Sequence, residues 1–350
     1  NRANNPNNIF KIHLYNMSNL SKILLNKINC KSIWFMRQAG RYLPEFQKIR
    51  VKNKNFIDLC FNSKLSSEIT LQPVNRFDLD SAIIFSDILL VPYALGQKVS
   101  FIKNLGPELT KLNINKFLQI SESNFYKALK PVYKAIEITR KKLETEKSLI
   151  CFVGAPWTLL VYMLDLKKGK KEIDVSKIES SDVKIDVILD KLTKFLCLHI
   201  KNQIDAGANV VQIFDSWAGF IPEKKINEYC FAPNKKIVEF CKKEKIPSIC
   251  FPKGLRKKYL EFNNIVQPDG INIDYEIEPL WAKENLKNVV IQGGLHPEAL
   301  LKTEEEMFKE ATKYIQAFKD TPYVFNLGHG LLPETDPDRV KKLIKFYRNF

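Results

Sequence analysis

The sequence predicts an α/β protein, a single (β/α)8 barrel. Three observations carry that expectation. Eight short apolar runs, rich in β-branched or aromatic residues, recur along the 350 residues. Segments with helical periodicity separate them. No linker rich in Gly, Ser or Pro divides the chain. Continuous apolar strands alternating with helices indicate a parallel sheet covered on both faces, and eight of them in one chain of this length indicate a barrel. A doubly wound open sheet is the alternative.

The runs are IWFM (33–36), SAIIF (81–85), LICFVG (149–154), VVQIF (210–214), PSICF (247–251), GINID (270–274), VVIQGG (289–294) and YVFNLG (323–328). Helical patterns lie between them, as in 191–208 and 297–318. The region 160–190 is polar and reads as a surface excursion. The opening tract NRANNPNN reads as a disordered stub over residues 1–10 left by processing, with the barrel over 11–350.

Composition narrows the class. Hydrophobic residues make up 45% and charged residues 27%, a globular balance with material for a large core. No apolar run is long enough to span a bilayer, so no membrane partner is expected. The seven cysteines are scattered and form no Cys-x-x-Cys pair. They read as reduced, mostly buried thiols of an intracellular protein, not as a disulfide framework or a zinc site. The net charge of +16 reads either as solvated lysine-rich surface or as attraction for a polyanion. Basic–aromatic interleaving and known nucleic-acid motifs are missing, so no nucleic-acid partner is expected.

A barrel of this kind keeps its active site at the C-terminal ends of its strands. Polar residues follow almost every run there. Arg37 and Arg41 follow the first, four apart around Gly40, with no acid between them. Ser86 and Asp87 follow the second. Tyr162 lies beyond the third. Asp215 and Ser216 follow the fourth, Lys253 the fifth, Asp274 ends the sixth, and His296 and His329 follow the last two. Each has a plain structural reading beside the functional one. Asp87, Asp215 and Ser216 read as helix N-caps. Tyr162 reads as core, Lys253 as a surface charge and His296 as a loop histidine. Arg37 and Arg41 read as partners of Glu45. Two arginine forks on a glycine loop are better suited to carboxylates.

WFMRQAGRYLPEF, IIFSDILLVPYALG, GAPWTLLVYML, IFDSWAG and NLGHGLLPETDP together resemble the uroporphyrinogen decarboxylase family, in matching order from about residue 30 to the C-terminus. The resemblance implies a (β/α)8 barrel that works as a homodimer without cofactor or metal. It implies a cyclic tetrapyrrole substrate, uroporphyrinogen, whose four acetates become methyls to give coproporphyrinogen. Carried over position by position, it implies catalytic roles for Asp87 and Arg37. It implies substrate contacts from Arg37, Gln38, Ala39, Gly40, Arg41, Phe46, Arg50, Asp87, Tyr162, Ser216 and His329. The chain departs from the family pattern at Asn272, Tyr275, Gly294 and His296, where Gly, Trp, Asn and Asp are usual. The alternative on the same fold is a zinc-dependent corrinoid or thiol methyltransferase. That chemistry needs a His-x-Cys and a distant Cys, and the chain has no His-x-Cys. The style of the motif at Trp217 and the Asn/Lys-rich composition point to a plastid-type organelle, with the cytoplasm as the alternative.

Overall fold

A computed structural model describes residues 17–102, 106–169, 172–174, 176–179 and 184–350. Eight parallel strands form one sheet: β1 (Ser32–Ile33), β2 (Ser81–Ile83), β3 (Ser148–Gly154), β4 (Val210–Asp215), β5 (Ser248–Pro252), β6 (Gly270–Ile273), β7 (Val290–Gly293) and β8 (Tyr323–Phe325). Their spatial order is β1-β8-β7-β6-β5-β4-β3-β2. Every strand after β1 therefore lies beside its predecessor in sequence except β2, and β8 returns to β1. All eight expected runs become strands, and the barrel replaces the open-sheet alternative. The expected stub lies outside the described residues.

β1 and β2 share no strand ladder, and side chains bridge them. The Ile33 N–H donates to Asp80 Oδ2 at 2.7 Å, and the Asp80 N–H donates to the Ile33 carbonyl at 3.0 Å. Gln38 Oε1 accepts the Phe35 N–H at 3.0 Å, while its Nε2 donates to the Ser81 carbonyl at 2.8 Å. Arg348, on the last helix, pairs with Asp80 at 2.9 Å. Buried main-chain groups need partners wherever they lie, and Asp80 and Gln38 supply them where twisted strands splay apart.

Two apolar cores flank the sheet. Strand residues of one parity pack outward against the helices, as Cys151, Val211, Ile213 and Cys250 do. Those of the other parity fill the barrel, among them Trp34, Met36, Ile150, Val210, Ile249, Phe251, Val290 and Val324. The helix Asn19–Asn26 closes the lower end with Leu20, Ile23 and Leu24. A Cβ on Gly270 would come within 2.8 Å of Leu24, so that strand start must be glycine. A polar layer crosses the lumen: Trp34 Nε1 donates to Gln292 Oε1 at 2.9 Å, and Gln292 Nε2 donates to Asn272 at 2.8 Å and Gln212 at 3.1 Å.

The expected helix over 297–318 is broken in two, a 3-10 turn at Pro297–Leu301 and a helix at Glu304–Ala317. Thr303 starts the second with a capping box to Glu306, which outcompetes continuation through Lys302. The expected excursion over 160–190 is met only in part: Lys167–Lys168 pairs with Glu172–Ile173 in a short hairpin, but residues up to Met163 lie in the helix Pro156–Met163 and those from Ile185 open the helix Ile185–Asp205, which buries Ile185, Ile188 and Leu189. Among the described residues all seven cysteines are free, five of them buried, and no helix is long and apolar enough to cross a membrane.

Asp80→Ala should strand the Ile33 N–H and remove one partner of Arg348. The expected cost is about 1–3 kcal/mol, the penalty for an unsatisfied buried donor. A urea titration reads it as a lowered midpoint, with Asp80→Asn in between; an unchanged midpoint in Asp80→Ala would show that the seam does not depend on this side chain.

Candidate active site

The loop after β1 holds two arginines free of the acids around them. Glu45 pairs instead with Arg76 at 3.2 Å. Among the described residues neither Arg37 nor Arg41 makes a salt bridge within 4.0 Å. Arg37 sits at φ +61°, the left-handed region that a residue other than glycine rarely adopts. Its side chain then lies flat on the loop after β8. A Cβ built on Gly330 would stand 2.3 Å from Arg37 Cδ, so only glycine lets the arginine pass. The Leu331 N–H donates to the Met36 carbonyl at 2.9 Å and fixes the two loops together. The Arg37 guanidinium opens to the mouth but is walled by protein behind. Burial and the neighbouring Arg41 lower its pKa, while Asp87 and Tyr162 raise it.

The remaining residues of this loop divide by use. The Gln38 side chain is spent on the seam, and its carbonyl accepts the Tyr42 hydroxyl at 2.9 Å. Ala39 and Gly40 are half-buried at the loop crest. Phe46 is buried, its ring 5.6 Å from that of Phe85. Arg50 turns away from the two arginines: its guanidinium caps the carbonyls of Asn53 and Lys54 at the end of the helix Pro44–Lys52.

Asp87 does not cap a helix as expected: the helix Leu90–Ala94 has Leu89 at its N-cap, and the Asp87 side chain closes the turn before it. One oxygen, Oδ1, accepts the Leu89 N–H at 2.8 Å and shapes the turn. Burial pushes the carboxyl up to about 6, against the pull of that N–H and of Arg37. Tyr162 is half-buried and edge-on to Trp217, with ring centroids 6.3 Å apart. Burial raises its pKa, and Asp87 and Arg37 both act on it, so the three groups share one electrostatic field.

His329 is neutral. Its Nδ1 accepts the Gly330 N–H at 2.8 Å, which leaves the ring proton on Nε2. Burial and the charges of Arg37 and Lys253 push its pKa down to about 3. Ser216 is half-buried at the end of β4. Its neighbour Asp215 takes no part in the mouth and does not cap a helix. It points outward and accepts Thr158 at 2.7 Å, Asn234 at 3.1 Å and the Cys230 thiol at 3.4 Å. Asp274 is likewise consumed, by the Gly254 N–H at 2.7 Å and the Tyr259 hydroxyl at 3.1 Å.

The departures from the family pattern lie on or just beyond the neighbouring strands β6 and β7. Tyr275 and His296 pack ring on ring, tilted by 47° with centroids 4.0 Å apart. His296 Nδ1 accepts the Glu298 N–H at 3.1 Å and so starts the 3-10 turn. Asn272 joins the lumen layer through Gln292. Gly294 has φ +111°, and a Cβ there would stand 2.2 Å from the Tyr314 ring, whose hydroxyl donates to the Gly294 carbonyl at 2.7 Å. Sequence reasoning passed over Gly330 as the seat of Arg37. It also left Lys253 as a surface charge, although the residue is half-buried at the end of β5 and its charge bears on His329.

The fold and this mouth can be set beside known proteins. The family profile described as uroporphyrinogen decarboxylase (URO-D) matches residues 23–350. A protein named uroporphyrinogen decarboxylase from Rickettsia felis is 40% identical over 320 residues, 90% of this chain and 92% of that protein. One of the same name from Orientia tsutsugamushi is 42% identical over 333 residues, covering 92% and 95%. A solved methyltransferase from Methanosarcina mazei superposes with a TM-score of 0.72 over 95% of this chain and 97% of its own, at 15% identity, a likeness of fold alone. The chain belongs to the uroporphyrinogen decarboxylase family.

Proposed function

We infer that this chain is a carboxy-lyase that removes CO2 from the four acetate side chains of uroporphyrinogen, leaving methyl groups and giving coproporphyrinogen. The observation that carries this reading is the convergence at one barrel mouth of two unpaired arginines, a reluctant carboxylate and a neutral imidazole. The substrate is an octa-acid, and Arg37 and Arg41 offer bidentate forks to its carboxylates. Tyr162, Ser216 and the Nε2–H of His329 add neutral donors. Ala39, Gly40 and Phe46 shape the wall beneath them. Gln38 acts through its position in the loop and Arg50 through the field behind it.

Breaking the carbon–carboxylate bond leaves an electron pair. The pyrrole takes it once a ring carbon has been protonated, because the protonated ring is a cation. The released carbon then accepts a proton and becomes a methyl, and the ring carbon gives back the proton it took, which restores the aromatic pyrrole, so each acetate consumes one proton net. Asp87 is placed to accept pyrrole N–H groups and to stabilise that cation. A carboxylate already fixed by its turn needs no reorganisation as charge develops. Arg37 orients the departing carboxylate and relays a proton through it or through water. The reaction so written needs no metal or organic cofactor. The methyltransferase alternative needs a thiolate–histidine cluster, and among the described residues no group of three or more His, Cys, Asp or Glu side chains could hold a metal ion.

A homodimer with facing mouths belongs to this reading on the strength of the resemblance. Of the two compartments expected from sequence, the cytoplasm is compatible with the bacterial relatives, which lend the plastid no support.

Incubation with anaerobic uroporphyrinogen should yield coproporphyrinogen, read by chromatography of the oxidised porphyrins. Asp87→Asn should lower kcat by about 10²–10³, the scale set by loss of a preorganised polar stabiliser. An unchanged kcat would remove Asp87 from the chemistry.

The acid limb of kcat/KM should fall near pH 6, where Asp87 of the free enzyme protonates. His329→Gln should reduce kcat/KM without moving that limb, since His329 is neutral across it; a shifted limb would assign the titration to the imidazole. Stability supplies an independent reading. The folded carboxyl lies above its ordinary value of 3.8, so its ionisation costs stability that is absent below about pH 4 and complete above pH 6. Asp87→Asn should therefore be more stable than the wild type at pH 8, by about 1–3 kcal/mol at 1.4 kcal/mol per pKa unit, with the gap closing towards pH 4.

Sedimentation at micromolar concentration should give twice the monomer mass. Monomer alone would end the homodimer reading.

A further inference from the structure

We propose that Lys253 binds a substrate carboxylate on the wall of the mouth opposite Arg37 and Arg41. The proposal rests on the uroporphyrinogen reading and extends it to the far half of the ring.

The placement follows from where β5 ends. On β5, Ile249 and Phe251 fill the barrel interior, whereas Cys250 faces the helices. Lys253 follows the last strand residue, Pro252, in a turn that its N–H makes back to the Phe251 carbonyl at 3.0 Å, and its charge bears on His329 in the mouth. The side chain is half-buried there, not splayed on the surface. Its main chain is held from both sides. The Lys253 N–H donates to the Asp215 carbonyl at 3.2 Å, and its own carbonyl accepts the Gly219 N–H at 2.9 Å. The following Gly254 N–H is tied to Asp274. A Cβ on Gly219 would stand 2.7 Å from the Gly254 carbonyl oxygen, so the two loops pack backbone to backbone. The lysine therefore starts from a fixed point.

Its neighbours belong to the site. The register pairs Asp215 with Pro252, which sets Ser216 level with Lys253 on the adjoining strand. His329 feels Lys253 from one side and Arg37 from the other. In the ring of strands β5 lies four places from β1 in either direction, directly across the mouth. Arg37 and Arg41 thus occupy one wall, Lys253 the opposite one, and Asp87 stands beside the arginines at the end of β2.

The substrate makes this arrangement consequential. A cyclic tetrapyrrole carries an acetate and a propionate on each of four rings, so its carboxylates surround it. When two arginines hold one edge, carboxylates on the opposite edge are pressed into the cleft as well. A desolvated anion without a counter-charge is costly. Lys253 supplies a cation there, and the adjacent Ser216 hydroxyl supplies a second donor. A lysine suits this wall because each turnover brings a different acetate past it, and a flexible point charge tolerates a change of geometry better than a fork does.

The test compares full-length wild type, Lys253→Met and Lys253→Arg. The stable octacarboxylate uroporphyrin serves as a binding probe, read by quenching of tryptophan fluorescence. In Lys253→Met, both the Kd for uroporphyrin and the KM for uroporphyrinogen should rise roughly tenfold or more, as loss of a hydrogen bond to a charged group implies. Its unfolding midpoint should not move, and Lys253→Arg should regain most of the affinity. Unchanged Kd and KM in Lys253→Met, beside an active wild type, would overturn this inference alone. Weakened binding with a fallen midpoint, or an arginine variant no better than the methionine one, would also overturn it by making Lys253 a structural residue. A wild type that leaves uroporphyrinogen intact would sink the parent reading and this inference with it.

Discussion

The site depends on how the barrel is closed between β1 and β2. Those strands share no ladder, and Asp80 and Gln38 substitute for one. Arg37 immediately precedes Gln38 and leaves the seam at a positive φ. Asp87 lies a few residues beyond β2. A side-chain amide held at 3.0 Å to the Phe35 N–H of its own loop and at 2.8 Å to the Ser81 carbonyl of β2 therefore sets the spacing between the arginine and the acid. The strain of a left-handed arginine persists because Gln38, Gly330 and the Leu331–Met36 bond overdetermine its position.

Three aspartates end strands of this barrel, and their fates show how direction decides function. Asp215 faces outward, where three donors from two neighbouring helices consume it. Asp274 is consumed by a glycine N–H and a tyrosine hydroxyl. Only Asp87 turns into the mouth, with Oδ1 engaged by its own turn. Burial resists its ionisation and Arg37 favours it, so the carboxyl is held near neutrality. His329 is driven the other way and stays a neutral donor. Pairs of groups separated in this manner are how one site keeps an anion and an uncharged hydrogen-bond donor side by side at one pH.

The sequence by itself determined the barrel, because eight apolar runs separated by helical segments leave few other ways to bury both faces of a parallel sheet. It also determined which residues stand at the strand ends, and its motifs named the family. It could not tell Asp87 from Asp215, since both follow apolar runs and both suit a cap; the difference is the direction of one side chain relative to the barrel axis. It could not show that Glu45 would choose Arg76 over Arg41, a choice made by helices 31 residues apart. The closure through Asp80 joins residues 47 apart, and the seat of Arg37 on Gly330 joins the loop after the first strand to the loop after the last. Charge, burial and approach distance are properties of that assembled surface, and they exist only once the first strand has met the last.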